Sequence, residues 1–403
     1  MKKLLSVLLA AAMLLCTACG GDPNGDANNK PTANIYTDIT GIAHDETVMT
    51  VGEISIPADL YFYWVNAIAQ DAETIYQQYS MYYGQYGYML NADGTLNWDA
   101  AYTQTMTVGD VIVAQAMEKL AFFVITESFA KANGVELTEE QRAEIEETIT
   151  KNIDLYAENL VKKDSANAEL SREAIEEKYF YNLGIDRDDV ARLMAVTYLR
   201  DAIVEQLLTE GSALSVEDEA YDDFAFYADH ILIATIDLNT RLPLSNEKIA
   251  EKTALAEEIL AQLQNCDDLE TRFAALADLH SEDTGRATNP TGYIFTSGEM
   301  VAEFENAVAA LEPGELSGLV KSDFGYHIIL RRDLAEGLAA YPEQKAVLAE
   351  TYMTTTINMI IANSSVSTGE ALVDLDLSEV YKAYMERTGQ SNALTSNVET
   401  ADK

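Results

Sequence analysis

The chain has 403 residues, 48% of them hydrophobic, which leaves room for more than one globular domain. Its 26 Lys and Arg stand against 67 Asp and Glu, a formal charge of −41, which excludes a nucleic-acid-binding surface and adhesion to anionic lipid. With three cysteines, two of them within the first twenty residues, it also lacks the means for a disulfide framework.

Taken in order, Met1-Lys2-Lys3 is a short basic region, and Leu4 to Leu15 is an apolar run too short to stay as a membrane span. Cys16-Thr17-Ala18-Cys19-Gly20 follows, small residues ahead of a cysteine. This resembles a bacterial lipobox, with an export signal over 1–18 and Cys19 as the lipidated residue. Cys16 stands where leucine is usual. The alternative is an ordinary secretory signal cut nearby. Residues 20–34 are rich in Gly, Asn, Asp and Pro, so a flexible stalk is expected over 19–44.

A helical region is expected over 45–224, opened by a short strand, a turn and a second strand-like piece between Thr47 and Ile56. Pro57 then starts a helix. From Tyr61 to Tyr88 the chain is dense in tyrosine, a residue with an apolar body and a polar tip. That suits either core packing or contact with unfolded chains. Further helices are expected over Thr103 to Asn133, from the Thr138-Glu139-Glu140-Gln141 capping box to about Leu160, over Ser171 to Tyr181 and over Asp186 to Thr209.

Ala228 to Ile233 and Phe324 to Arg331 then read as strands, each with one of the chain's four histidines near its head, His230 and His327. Between them lie three apolar stripes at helical spacing: Ile249 to Leu263, Leu269 to His280 behind a capping box at Asp267 and Glu270, and Met300 to Leu311, which Pro313-Gly314 stops. Met300 and Phe304, four apart, are expected on one helix face. Beyond Arg332, a helix from Tyr341 to about Ile361 and another from Leu372 to Met385 should pack back on the N-terminal helices. Residues 386–403 read as a disordered tail.

The order His230, Phe273-Ala274-Ala275-Leu276-Ala277, Ser281-Glu282-Asp283, Met300 to Phe304, Glu312-Pro313-Gly314, Phe324-Gly325-Tyr326-His327 resembles a parvulin-type peptidyl-prolyl cis-trans isomerase domain, over about a quarter of the chain. Thr47 to Pro57 resembles, more loosely, the opening of the chaperone domain in PrsA- and SurA-type foldases. The resemblance implies an α+β fold: a parvulin domain over 225–333, a small, mostly antiparallel sheet with packed helices, inserted in an all-α chaperone domain built from 45–224 and 334–385.

It further implies His230, Asp283 and His327 as the catalytic residues, with Met300, Phe304, Phe295 and Phe324 around the proline. An aspartate at 283 suits electrostatic tuning of the histidines rather than covalent chemistry. The histidines could equally be a structural pair, and Met300 and Phe304 plain core. One departure stands out: Asn289 to Phe295 lacks the family's Gly-Gly-x-Leu-Gly run, so the leucine that helps close the pocket has no counterpart.

No cofactor and no metal are implied, since no Cys/His cluster has zinc spacing and no phosphate loop is present. The expected partners are unfolded, exported polypeptides with X–Pro bonds, met at the extracytoplasmic face of a bacterial membrane through the lipid on Cys19. The rival reading is a non-catalytic holdase whose parvulin domain only binds chains.

Overall fold

The computed structural model describes residues 34–84 and 86–389. The expected signal, Cys19 and the residues after Gly389 lie outside them. The chain divides into two compact units, one taking both ends, as far as Ile203 and again from Thr355, the other running Val204–Thr354.

The first unit opens with helix α1 (Ile35–Thr40). Here the expected stalk is corrected: Asn34 to Thr40 is a packed, capped helical turn. Ile35 and Tyr36 are fully buried, and Asn34 caps the helix while donating its amide N–H to the carbonyl of Gly184 at 2.6 Å. Gly184 has φ +75°, and a Cβ there would lie 2.1 Å from the Tyr36 ring, so both backbone and space demand glycine.

Strands β1 (Thr47–Val51) and β2 (Ile54–Pro57) form a hairpin, and helix α2 (Ala58–Tyr83) follows from Pro57. Helix α3 (Val108–Ala132) begins later than the expected Thr103, because the capping box is Thr107 with Asp110, and Tyr102 to Met106 is a turn. Helices α4 (Glu139–Lys163, with its Thr138–Gln141 capping box), α5 (Arg172–Leu183) and α6 (Arg187–Leu208) complete the N-terminal part.

The second unit is built on β3 (Ala225–Ala234), α7 (Asn246–Gln264), α8 (Leu269–His280), β4 (Tyr293–Thr296), α9 (Ala302–Ala309), β5 (Val320–Lys321), β6 (Gly325–Arg332) and α10 (Leu334–Ala340). Its sheet has the order β4-β3-β6-β5, with every neighbouring pair antiparallel. Strand alternation gives it two apolar faces. Ile231, Ile233, Ile328 and Leu330 pack with Ala256, Ile259 and Leu263 of α7 and Phe273 and Leu276 of α8. Ala228, Phe295 and Ile329 pack on the other face with Phe304 and Val308 of α9. The α8 cap is Asp268 rather than Asp267, its carboxylate accepting from the N–H of Thr271.

Helix α11 (Glu343–Ala362) then leads to β7 (Val366–Thr368), which pairs antiparallel with β1, and to α12 (Leu377–Thr388). Back in the first unit, Tyr384 stacks on Tyr36 with centroids 5.5 Å apart, and the Tyr381 hydroxyl donates to Glu73 at 3.2 Å. The early part of α11 departs from expectation: Tyr352 meets Tyr221 and Phe224, and Lys345 pairs with Asp218, all within the second unit. The aromatic pair just before β3 supplies an apolar partner that periodicity alone did not assign.

Candidate functional site

The register places the two histidines. His230 lies opposite Ile329 and Leu232 opposite His327, so both imidazoles emerge diagonally on the α9 face of the sheet. Their ring centroids are 5.3 Å apart. Phe304 meets His230 at 5.1 Å and His327 at 5.5 Å, both edge-on, and Phe295 meets Phe304 at 5.8 Å. Tyr293 stacks on His230 at 5.8 Å.

Asp283 arrives by a different route. From Leu232 to Ala234 the edge of β3 not covered by β4 is taken by the segment after α8. The Glu282 N–H donates to the carbonyl of Leu232, the Leu232 N–H to Ser281 Oγ and the Ala234 N–H to the Glu282 carboxylate. Lys252 holds that carboxylate from α7 at 2.6 Å. Asp283 is thereby fixed with one carboxylate oxygen accepting from the Gly285 N–H at 3.1 Å. The other accepts from the Tyr293 hydroxyl at 2.5 Å and lies 3.7 Å from His230 Nε2. Beside it, Arg286 reaches the buried Asp229 at 2.8 Å and Asp278 on α8 at 3.0 Å.

Burial sets the protonation states. It lowers the His230 imidazole, against the pull of the Asp283 carboxylate and together with the repulsion of Arg286. Burial and the neighbouring His230 push His327 down to about 4. Both rings are therefore neutral near pH 7. Ser322 Oγ accepts from the Phe324 N–H at 3.2 Å and shares a hydrogen bond with His327 Nε2 at 2.7 Å. Both Nδ1 atoms are buried without a hydrogen-bond partner among the described residues. The Tyr293 hydroxyl is raised, first by burial and then by Asp283, so it stays a donor. Burial likewise pushes Asp229 up to about 6 in spite of Arg286.

The structure thus brings together His230, His327, Asp283, Phe295 and Phe304. Met300 joins the same apolar cluster, but it does not share a helix face with Phe304, because α9 begins only at Ala302. The Glu305 carboxylate accepts from the N–H groups of Gly298 at 2.8 Å and Met300 at 2.9 Å, and so folds that loop back. Phe324 is half-buried in the turn ahead of β6, its carbonyl accepting from the Thr235 N–H at 3.0 Å. Tyr293 and Ser322 were not anticipated. Strand alternation, two residues before Phe295, was the available signal for Tyr293, whereas Ser322 had none. At the start of β4, Gly292 has φ +116° and a Cβ there would lie 2.6 Å from the Ala228 carbonyl, so only glycine lets β4 close on β3. Among the described residues no group of His, Cys, Asp and Glu is arranged to hold a metal ion.

A small antiparallel sheet with paired histidines, an acid beside them and an aromatic-rich apolar cluster defines a class, and the family comparison agrees. Residues 230–333 match the rotamase family, the PPIC-type PPIASE domain. Over 105 residues the chain is 43% identical to chaperone SurA of Chromohalobacter salexigens, covering 26% of this chain and 21% of that protein. It is 47% identical over 97 residues to foldase protein PrsA 4 of Bacillus cereus, covering 24% and 32%. To foldase protein PrsA of Geobacillus kaustophilus it is 31% identical over 233 residues, 54% of this chain and 74% of that protein. The first two relatives are thus matched over less than a third of their length. The chain belongs to the PrsA foldase family and carries a peptidyl-prolyl cis-trans isomerase domain of parvulin type.

Proposed function

We propose that the protein catalyses cis-trans isomerisation of X–Pro bonds and assists the folding of exported polypeptides. The observation that carries this is the joining of His230, His327, Asp283 and Tyr293 to the apolar cluster of Met300, Phe304 and Phe295 on one sheet face. Prolyl isomerisation breaks no covalent bond; its barrier of about 20 kcal/mol is the partial double bond of the amide. A catalyst needs an apolar seat for the proline ring and polar groups that favour the twisted amide, and no nucleophile.

In this reading Phe304, Phe295 and Met300 seat the ring and Phe324 borders it. The neutral histidines are uncharged hydrogen-bonding groups beside the turning amide, and Asp283 with Tyr293 orients His230. Loss of conjugation makes the amide nitrogen more basic and weakens the carbonyl as an acceptor, so a neutral, low-dielectric site lowers the cost of the twist.

The same reading places the chain outside the cytoplasmic membrane, held by lipid on Cys19, with the 225–333 domain inserted in a chaperone domain built from both ends of the chain. Among the described residues no helix is long and apolar enough to cross a membrane. Exchange NMR on a proline peptide with the full chain tests the activity. Acceleration is expected, reduced by Asp283→Ala and by His327→Ala; no acceleration by the parent chain leaves the holdase reading in its place. For anchoring, wild type should partition with membranes and Cys19→Ser should not.

A further inference from the structure

The last turns of α2 are unlike the rest of that helix. Its earlier part is core, with Leu60, Tyr61, Phe62, Val65 and Ala69 buried. Beyond Asp71 the large side chains turn outward. Ile75, Tyr79 and Tyr82, at steps of four and three on one face, are 46%, 46% and 81% exposed. The chain that follows extends this surface. Tyr86 folds back on Tyr79 with centroids 5.6 Å apart, and Tyr88 and Tyr102, in the chain that follows, are 54% and 46% exposed. Single exposed apolar residues need no explanation, but a cluster of five on one stretch of surface does.

The frame beneath is well tied. Gln77 donates to the Gly94 carbonyl at 2.9 Å, the Leu96 N–H donates to Glu73 at 3.0 Å, and Asn97 donates to the Tyr88 carbonyl at 3.2 Å. The aromatic surface is therefore held in place rather than left over from a poorly packed loop.

Charge identifies the occupant. From residue 31 to residue 118 the chain contains no lysine and no arginine, while Asp38, Asp45, Glu46, Glu53, Asp59, Asp71, Glu73, Asp93, Asp99, Asp110 and Glu118 all fall there. The loop from Asn91 to Asp99 also borders a cavity of about 330 Å³ whose wall carries Glu73, Asp93, Asp99, Glu379 and Glu386 against the single ammonium of Lys382. Three cations from later in the chain do reach this stretch, Lys119 toward Asp71, Lys382 toward Asp93 and Arg387 onto the Asp38 carbonyl, and leave the excess negative. Tyrosine faces attract ammonium and guanidinium groups, and tyrosine loses little side-chain entropy on contact.

We propose that the exposed face of Ile75, Tyr79, Tyr82, Tyr88 and Tyr102 is a docking surface for unfolded polypeptide segments rich in lysine or arginine and apolar residues. It acts separately from the proline-binding hollow and needs no proline in the segment. The inference rests in part on the foldase reading, since it supplies the chains such a surface would meet.

The test is fluorescence anisotropy of the full chain with two labelled, proline-free, unstructured peptides of equal length, one alternating Lys with Leu and Ala, the other Glu with Leu and Ala. The expected result is preference for the cationic peptide by about tenfold or more, about 1.4 kcal/mol, weakened at high salt. The variant Tyr79→Ser/Tyr82→Ser, at exposed positions, should lose that binding while keeping its circular dichroism and its acceleration of proline exchange. Equal binding of both peptides, or undiminished binding by the variant, overturns the proposal. Peptide binding that behaves as expected in a chain that does not accelerate proline exchange would instead sink only the isomerase reading.

Discussion

Protonation of His327 offers the sharpest test of the site as described, because its burial has a consequence for stability with a definite sign. The folded-state value is about 4 against 6.5 for an unperturbed imidazole. Below pH 6.5 the unfolded chain takes up a proton that the folded chain refuses, so stability is lost as pH falls from about 6.5 to about 4. At about 1.4 kcal/mol per pH unit this amounts to about 3 kcal/mol.

Asp229 works against it within the same unit. Its carboxyl is raised from 3.8 to about 6, so the unfolded chain ionises first and stability is gained as pH falls through that interval. The two nearly offset, and the wild-type curve alone is uninformative. In His327→Gln the imidazole's contribution is removed. Relative to wild type, the variant should therefore gain about 3 kcal/mol between pH 7 and pH 4. Trp64 and Trp98 both lie in the first unit, so tryptophan fluorescence does not report on this one. Pulsed amide exchange of β3 and β6 peptides across a urea series does, and ¹⁵N-histidine spectra should show His327 among only four histidines, titrating near pH 4. If the gap between variant and wild type is the same at pH 7 and pH 4, or if His327 titrates near 6.5, the dry, neutral histidine pair is refuted.

Arg286→Met should destabilise the second unit by about 3–5 kcal/mol, because Asp229 is then left buried without its partner. The double variant with Asp229→Leu should recover much of that in the same exchange measurement. Phe304→Ala, at a side chain 2% exposed between both histidines and Phe295, should cost about 3–5 kcal/mol and abolish acceleration in the proline-exchange assay. Tyr293→Phe should cost about 1–2 kcal/mol by removing one donor to Asp283. It should also slow exchange less than Asp283→Ala, since the Gly285 N–H still holds the carboxylate.

The sequence by itself determined the class of the second unit. Strands and helices there follow periods of two and about four, and a buried sheet face enforces register, since a slip by one residue would send Ile231 and Ile233 to the wrong side. His230 and His327 were legible for the same reason: each sits at a strand position whose side is set by apolar neighbours. Phe295 and Phe304 were visible as apolar residues in apolar runs.

What only the tertiary structure decided concerns polar contacts between segments distant in the chain and the ends of elements. Four-residue spacing puts Met300 on a helix, and it cannot show that Glu305 captures the N–H groups ahead of it and delays the start of α9. Ser322 had no periodic signature, and its role depends on a turn that brings it onto His327. Asn34 and Tyr36 sat at the edge of a Gly- and Asn-rich run that composition describes as stalk. Their packing comes from Gly184 and Tyr384, about 150 and 350 residues away, and local propensity carries no information at that distance.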